Sequence, residues 1–407
     1  MKSRFRKPRL FTRLKPVLGF FMLIILFALT FSYAMFQGGF VSWFLFFSFF
    51  PFGLYSLFLH LYSRRQFKVE RLIEPKDYCA DDHMNVTIMI RRRMPLPLFF
   101  LIVEDITPVG LDSVRSKQVL FPGFKRELQL SYRIDKASRG EHIFEAIRLT
   151  SGDVLGIAKK EWWFDCRESI LVYPKFEEMI YRPLENRFEQ GGTTSAMQFQ
   201  KDTSLVAGVR QYQPGDRFAW IDWKATARTN EMMSKEFEIR QSNDLFIVLD
   251  RTHTENFEEM VKFTASAIRA ILRNGGQVGL LSAGKERTII PIKGGEQQQQ
   301  QIFHHLAKVN ADSTVHLANL IEGEAALYNH PAALILITST LDKQLIDRAG
   351  MYMRRKGTLI IYLIKKRRSI SHAQEMKLKA SALKSGLIIK TLYDGEFRTA
   401  FSEVMRA

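Results

Sequence analysis

The stretch DLFIVLDRTHT, residues 244–254, carries five apolar residues into Asp250 and then alternates Thr252 and Thr254 with Arg251 and His253. An unbroken run of Leu, Phe, Ile and Val is the signature of a strand covered on both faces, because alternation is needed only where one face meets water. Helical spacing takes over at once: Phe257, Met260, Val261, Ala265, Ile268, Ile271 and Leu272 fall mostly three or four apart over 255–273. QVGLLSAG (277–284) and RTIIPIKG (287–294) then read as strands, and 296–309 and 316–329 as helices. AALILITS (332–339) is a strand, 342–355 a helix, TLIIYLIKK (358–366) a strand and 372–384 a helix; GLIIKTLYD (386–394) and a final helix end the chain. Buried-type strands alternating with helices predict a doubly wound α/β domain over 244–407, with ligands expected beyond the carboxyl ends of its strands. The glutamines at 297–301 read as the solvated face of a helix start.

Upstream the period changes. FKVERLI (67–73), MNVTIMIRR (84–92), LPLFFLIVEDI (96–106), KRELQLSYRI (125–134), HIFEAIRLT (142–150) and SILVYP (169–174) are short, rich in Val, Ile, Phe and Tyr, and often alternate. Turn formers such as Pro122-Gly123, Ser138-Arg139-Gly140 and Ser151-Gly152-Asp153 separate them. This pattern predicts a β-sandwich over 64–175. Trp162 and Trp163, adjacent on one strand, are expected to be one core and one exposed residue. No catalytic cluster occurs there.

From Pro16 to Ser63 there is no Asp, Glu, Lys or Arg. Two apolar runs, 17–36 and 40–62, meet at Gln37-Gly38-Gly39, and each matches the ~30 Å hydrocarbon layer a helix must cross. No cleavage-type junction separates them, which argues against a signal peptide. The reading is a transmembrane hairpin over 16–63. Residues 1–15 are purely basic, and Arg64, Arg65, Lys68 and Arg71 follow the second run against Glu70 alone. Positive flanks mark the cytoplasmic side, so the expectation is a multi-pass plasma-membrane protein with both termini cytoplasmic.

The formal net charge is +17. Those two flanks account for most of it, and Lys365, Lys366, Arg367 and Arg368 for much of the rest. Charge placed for topology does not imply nucleic acid. Cys79 and Cys166 stand alone, without metal-type spacing, as in a reducing compartment. Nothing resembles a phosphate-binding loop, a nucleophile elbow or a histidine metal pair.

Two constellations remain. At the carboxyl end of the 244–250 strand, Asp250, Thr252 and Thr254 offer hard oxygen ligands to Mg²⁺. The spacing resembles the metal-ion-dependent adhesion site of von Willebrand factor A domains, Asp-x-Ser-x-Ser with Thr supplying the hydroxyls. The order of elements also resembles that domain. The resemblance implies a further Thr from a later loop, for which Thr314 stands ready, and an Asp after the 332–339 strand. Here Ser339 takes that place and Asp342 lies further on, so the site is degenerate. The alternative is that Asp250 only caps the turn or helix after it.

The second is GVRQYQPGDRFAWIDWKATARTNEMMSKEFE (208–238), within a segment 176–243 joining the two domains. Pro214-Gly215 makes a tight turn, and Asp216 is expected to N-cap a short helix through Ile221, Ala225 and Arg228. An active-site reading would use Asp216 or Asp222 as base, with Arg210, Lys224 or Arg228 holding an anion. Without an activated nucleophile, the segment reads better as a latch or docking surface, in which Asp pairs with Arg and Trp220 and Trp223 supply contact area.

Arg210-x-Tyr212-x-Pro214-Gly215-Asp216 and Ile221-Asp222-Trp223-Lys224-Ala225-x-Ala227-Arg228 resemble the signature of the bacterial "domain of unknown function fifty-eight" family. Arg139-Gly140, the stretch 151–156 and Val172-Tyr173-Pro174 resemble what precedes it there. The resemblance implies a hydrophobic N-terminal pair and a von Willebrand A-like carboxyl domain. By association it also implies work beside a MoxR-type AAA+ ATPase, and sometimes a transglutaminase-like membrane protein, in assembly or maturation of other proteins. The expectation is a non-enzymatic, membrane-anchored cytosolic adaptor; the alternative is a membrane-associated hydrolase or transferase using Asp216, Asp222 and Arg228.

Overall fold

A computed structural model describes residues 10–108, 110, 111, 116–153, 156, 158–181, 206–213, 216, 218–237, 244–323, 333–356, 358–366 and 373–401. They form two compact units, Met1–Lys175 with Phe303–Val309, and Phe176–Ile302 with Asn310–Ala407.

The first unit begins with two helices, α1 (Leu10–Gln37) and α2 (Phe40–Leu61). Gly38, at φ 60°, turns the chain between them, a left-handed conformation that costs glycine nothing. α2 is long and apolar enough to cross a membrane, and Phe21–Gln37 of α1 is a shorter apolar helix. The two helices pack face to face. The Phe27 ring meets Phe46, Phe49 and Phe50 at 5.8–6.3 Å, and Phe31 meets Trp43 and Phe46. Gly53 permits this approach, since a Cβ there would lie 2.0 Å from the Phe27 ring.

Eight strands follow: β1 (Phe67–Ile73), β2 (Tyr78–Cys79), β3 (Met84–Arg92), β4 (Leu101–Asp105), β5 (Lys117–Leu120), β6 (Glu127–Ile134), β7 (Gly140–Gly152) and β8 (Lys159–Tyr173). They make two sheets, ordered β1-β3-β6 and β2-β8-β7-β4-β5. Alternation does what it should: Met84, Val86, Ile88 and Ile90 of β3 turn inward with Leu101, Val103, Ile147, Leu149 and Trp162 in one shared core. Trp162 is buried and Trp163 exposed. SILVYP is only the end of β8, because alternation runs on through the charged residues before it; β2 and β5 are too short to announce themselves.

One ion pair lies inside this sandwich. Arg71 bonds both carboxylate oxygens of Asp105, and Tyr132 donates to the same carboxylate at 2.7 Å. Burial, and then Asp105, pushes the Tyr132 hydroxyl far above its ordinary range. Removing one partner of such a pair strands the other and costs about 3–5 kcal/mol.

The end of α2 is built into the sandwich. Tyr62 packs on Phe67 and Trp162 and donates its hydroxyl to the Met94 carbonyl at 2.6 Å. Buried Asp153 accepts from the Ser56 hydroxyl and, at 3.0 Å, from the Ala158 N–H, while Lys160 donates to the His60 carbonyl.

The second unit opens with 176–181 laid along the α/β domain. The Glu177 N–H donates to Ser266 Oγ, Arg269 covers the Phe176 ring, and Tyr181 packs on Phe401. The α/β domain contains β11 (Asp244–Asp250), α4 (Phe257–Arg273), β12 (Gln277–Ala283), β13 (Arg287–Lys293), α5 (Glu296–Lys308) and α6 (Leu317–Gly323). It continues with β14 (Ala333–Thr338), α7 (Lys343–Lys356), β15 (Leu359–Lys365), α8 (Ala373–Lys384) and β16 (Ile388–Tyr393). A 3-10 turn, Phe397–Thr399, stands where the final helix was expected to begin; residues 402–407 and 324–332 lie outside the described residues.

The sheet order is β13-β12-β11-β14-β15-β16, parallel except for edge strand β13. Leu345, Ile346, Ala349, Ala382 and Leu317 of α6–α8 cover the face formed by Phe246, Val248, Leu334 and Leu336. Phe263 of α4 packs on Tyr362 and Phe397, so helices occupy both faces. The order reverses between β11 and β14, and that crevice is where doubly wound sheets place ligands.

Candidate functional site: the β11–β14 crevice and the signature module

Asp250 ends β11 and is 3 % exposed. One carboxylate oxygen accepts from the Thr252 N–H (3.0 Å) and hydroxyl (2.8 Å), and the other from the Thr338 hydroxyl at 2.7 Å. The turn-capping role and the approach of hydroxyls are thus both present. Parallel pairing of Leu249 with Ile337 sets Thr338 level with Asp250. Sequence order offers Ser339 at this place; strand register brings its neighbour Thr338 to the carboxylate.

The 310–316 loop closes the third side. Ser313 bridges Thr252, and its N–H donates to the Arg251 carbonyl at 3.0 Å, which places exposed Thr314 one residue beyond the bridge. Arg251 points elsewhere. Its guanidinium pairs with Asp312 at 2.6 Å and donates to the Asn310 and Glu286 carbonyls, so its charge is spent locally. Gly284 makes room for this pair: a Cβ there would sit 2.1 Å from Asp312 and 2.5 Å from Arg251. Asp342 is committed to accepting from the Leu345 N–H at the start of α7 and pairing with His316.

Two hydroxyls at this end, Thr254 Oγ1 and Ser339 Oγ, are buried without a hydrogen-bond partner among the described residues. Buried polar atoms ordinarily have one, so their presence calls for a bound group or water. The donor set of one carboxylate and several hydroxyls fits a hard divalent cation in kind. No cluster of three or more His, Cys, Asp or Glu suited to a metal occurs among the described residues.

The signature segment folds as a small module. β9 (Val206–Gln211) pairs antiparallel with β10 (Met233–Phe237), and α3 (Trp223–Thr229) lies between them in sequence. Asp216 is not the N-cap expected of it. It pairs with Arg210 at 2.7 Å and accepts from the Gln213 N–H, closing its own turn. Asp222 is the cap, accepting from the Ala225 N–H at 3.0 Å. A 3-10 turn at Phe218–Trp220 and the Ile221–Ser234 bridge replace the first part of the short helix expected from Asp216 through Ile221, Ala225 and Arg228, which begins only at Trp223. Thr226 ties α3 to β10 by accepting from the Met233 N–H, and Asn230, at φ 58°, ends α3. Outward stand Phe218, which stacks on Tyr212, and, on α3, the exposed Trp223, Lys224 and Arg228. Pro214 and Gly215 lie outside the described residues.

The family model described as "Protein of unknown function DUF58" matches residues 208–407, from this module to the end of the chain. The chain belongs to that family. It is 42 % identical over 297 residues to "Uncharacterized protein YeaD" of Bacillus subtilis (strain 168), covering 72 % of this chain and 75 % of that one. Among solved structures, proximal thread matrix protein 1 from the mussel byssus is similar at a TM-score of 0.26 and 11 % identity, over 40 % of this chain and 46 % of that one. The bacterial hydrophobin BslA is similar at 0.18 and 11 %, over 26 % of this chain and 93 % of its own. Likeness this slight carries no argument.

Proposed function

We propose that the protein is a membrane-anchored adaptor whose signature module docks a partner protein. The observation that carries the proposal is how the module spends its side chains. Asp216 and Asp222 hold the module's own turn and helix, while Phe218, Trp223, Lys224 and Arg228 face outward. Aromatic and cationic residues are the usual anchors of interfaces. Carboxylates engaged in this way do not favour the hydrolase or transferase alternative.

The α2 span and the uncharged window before it support the anchor, and the flanking cations support a two-helix span with both ends in the cytosol. The strand order supports a von Willebrand A-like reading of the carboxyl domain. In that reading a Mg²⁺ ion would be held by Asp250, Thr252, Thr254 and Ser339, with Thr314 near. Such an ion supplies a coordination position that a partner's carboxylate can complete. Family resemblance supports a MoxR-type AAA+ ATPase as the docked partner and a transglutaminase-like membrane protein as a further one.

The test is crosslinking and affinity purification from native membranes with wild type and with Trp223→Ala/Arg228→Glu, whose side chains are exposed. An AAA+ ATPase recovered with wild type and lost from the folded variant is the expected result. Recovery with both places docking elsewhere. Recovery with neither removes the adaptor reading and leaves enzymatic screening as the course.

A further inference from the structure

We propose that two loops of the sandwich, 93–100 and 121–126, form a second membrane contact, seated in the headgroup layer of an anionic leaflet beside the end of α2. The inference rests on the reading of α2 as a membrane span.

Four large apolar side chains project from these loops. Phe121 is 79 % exposed, Phe124 72 %, Met94 58 % and Phe99 50 %. Exposed apolar groups gathered this closely mark a binding surface rather than ordinary scatter. The loops form one platform. Leu98 bridges Gly123, and buried Arg92 donates to the carbonyls of Leu96, Gly123 and Lys125, pinning both loops from beneath. Pro95, Pro97 and Pro122 restrict the backbone further, so little conformational freedom is lost when the platform binds.

Its occupant is identified by position and by charge. The Phe99 ring packs on Tyr55 of α2 at 4.8 Å, and Tyr62 at the end of α2 bonds the Met94 carbonyl. Helix rise puts Tyr55 about 9 Å before Leu61. The platform therefore reaches down the last turns of α2 to the depth of the headgroup and acyl boundary, where interfacial apolar residues settle. Exposed Arg93, Lys125 and Arg126 flank the apolar tips, and the acid nearby, Glu127, is paired with Arg91. Cations around an apolar tip suit anionic headgroups. A protein partner would have to compete with lipid already at this depth.

The full chain, with Cys79→Ser and Cys166→Ala, would carry one fluorescent label at Phe124→Cys, Phe47→Cys or Asp135→Cys, reconstituted in phosphatidylglycerol bilayers containing nitroxide-labelled lipid. Phe47 is an exposed residue of α2. Asp135 lies past the far end of β6, roughly 26 Å from the platform by strand rise. Quenching by lipid at position 124 should exceed that at 135 by about threefold or more, and should weaken in phosphatidylcholine while quenching at 47 holds. Strong quenching at 47 with equal, weak quenching at 124 and 135 overturns the platform while leaving the anchor. Shielding of 124 from both lipid and aqueous quencher would assign the surface to a protein, and also overturns it. Absence of quenching at 47 removes the anchor and the platform together.

Discussion

Asp250 shows how much one buried side chain can be asked to do. It accepts three hydrogen bonds while two neighbouring hydroxyls, on Thr254 and Ser339, have no partner among the described residues. If a cation completes this set, Mg²⁺ or Mn²⁺ should raise the melting temperature of the full chain, by several degrees at concentrations far above Kd. Asp250→Ala should erase the rise. The same substitution takes the acceptor from the Thr252 hydroxyl, at about 1–3 kcal/mol if it is left unsatisfied, while the Thr338 hydroxyl keeps the Thr340 carbonyl at 3.1 Å. A wild type indifferent to both ions would reduce Asp250 to a knot between β11 and β14. Asp250, Thr252 and Thr254 were legible from local spacing. Thr338 and the Arg251–Asp312 pair were not, because strand register and loop closure bring those residues together.

At the scale of elements, α4 is held by charge as well as by its apolar faces. Lys262 bonds Glu177 before the domain and Asp394 after β16, each at 2.7 Å, with Glu259 at 4.0 Å. Burial, reinforced by the nearby Asp394 carboxylate, raises the Glu259 carboxyl. The hydrogen bond from Lys262 chiefly lowers Asp394. The two acids therefore pull stability in opposite directions. Glu259, raised, favours the fold at pH below its unfolded value and loses that contribution as pH climbs through its folded one. Asp394, lowered, contributes above the ordinary aspartate range and loses its contribution as pH falls through its folded value. Glu259→Gln keeps a donor facing Asp394 without a charge. The variant should therefore melt higher than wild type near neutral pH, with the gain shrinking toward about pH 4, where wild type is itself protonated. Melting curves across that range decide it, and a variant less stable at every pH would refute the assignment. The elements themselves were largely visible beforehand, since period alone separates β11 and β15 from α4. The short β2 and β5 carried too few residues to show one.

For the molecule as a whole, the α1–α2 contact joins the parts whose period says least about pairing, since both helices are apolar on nearly every side. At Gly53 the Phe27 ring of α1 lies against the α2 backbone. Gly53→Leu should force the Phe27 ring away and part the helices, and Gly53→Ala should do so to a smaller degree, since its Cβ alone already requires the ring to shift. A flexible bis-maleimide should link Phe31→Cys to Trp43→Cys, whose parent rings are 6.4 Å apart, efficiently in the parent and far less with Gly53→Leu. Unchanged yield in the Leu variant would mean that the helices do not pack through this face.

By itself the sequence determined the kinds of parts and their order. Uncharged apolar runs set one helix long enough to cross a membrane and a shorter apolar one before it, alternation set the sandwich strands, and continuous Ile, Leu and Val set the covered strands of the α/β sheet. Each is a local periodicity, readable without knowing any partner. Tertiary structure alone decided which parts meet. It put β11 beside β14, so that Asp250 found Thr338. It turned Asp216 to Arg210 and left the cap to Asp222, and it carried the 93–100 and 121–126 loops to the end of α2. Period specifies which face of an element is buried; what lies against that face depends on residues far away along the chain.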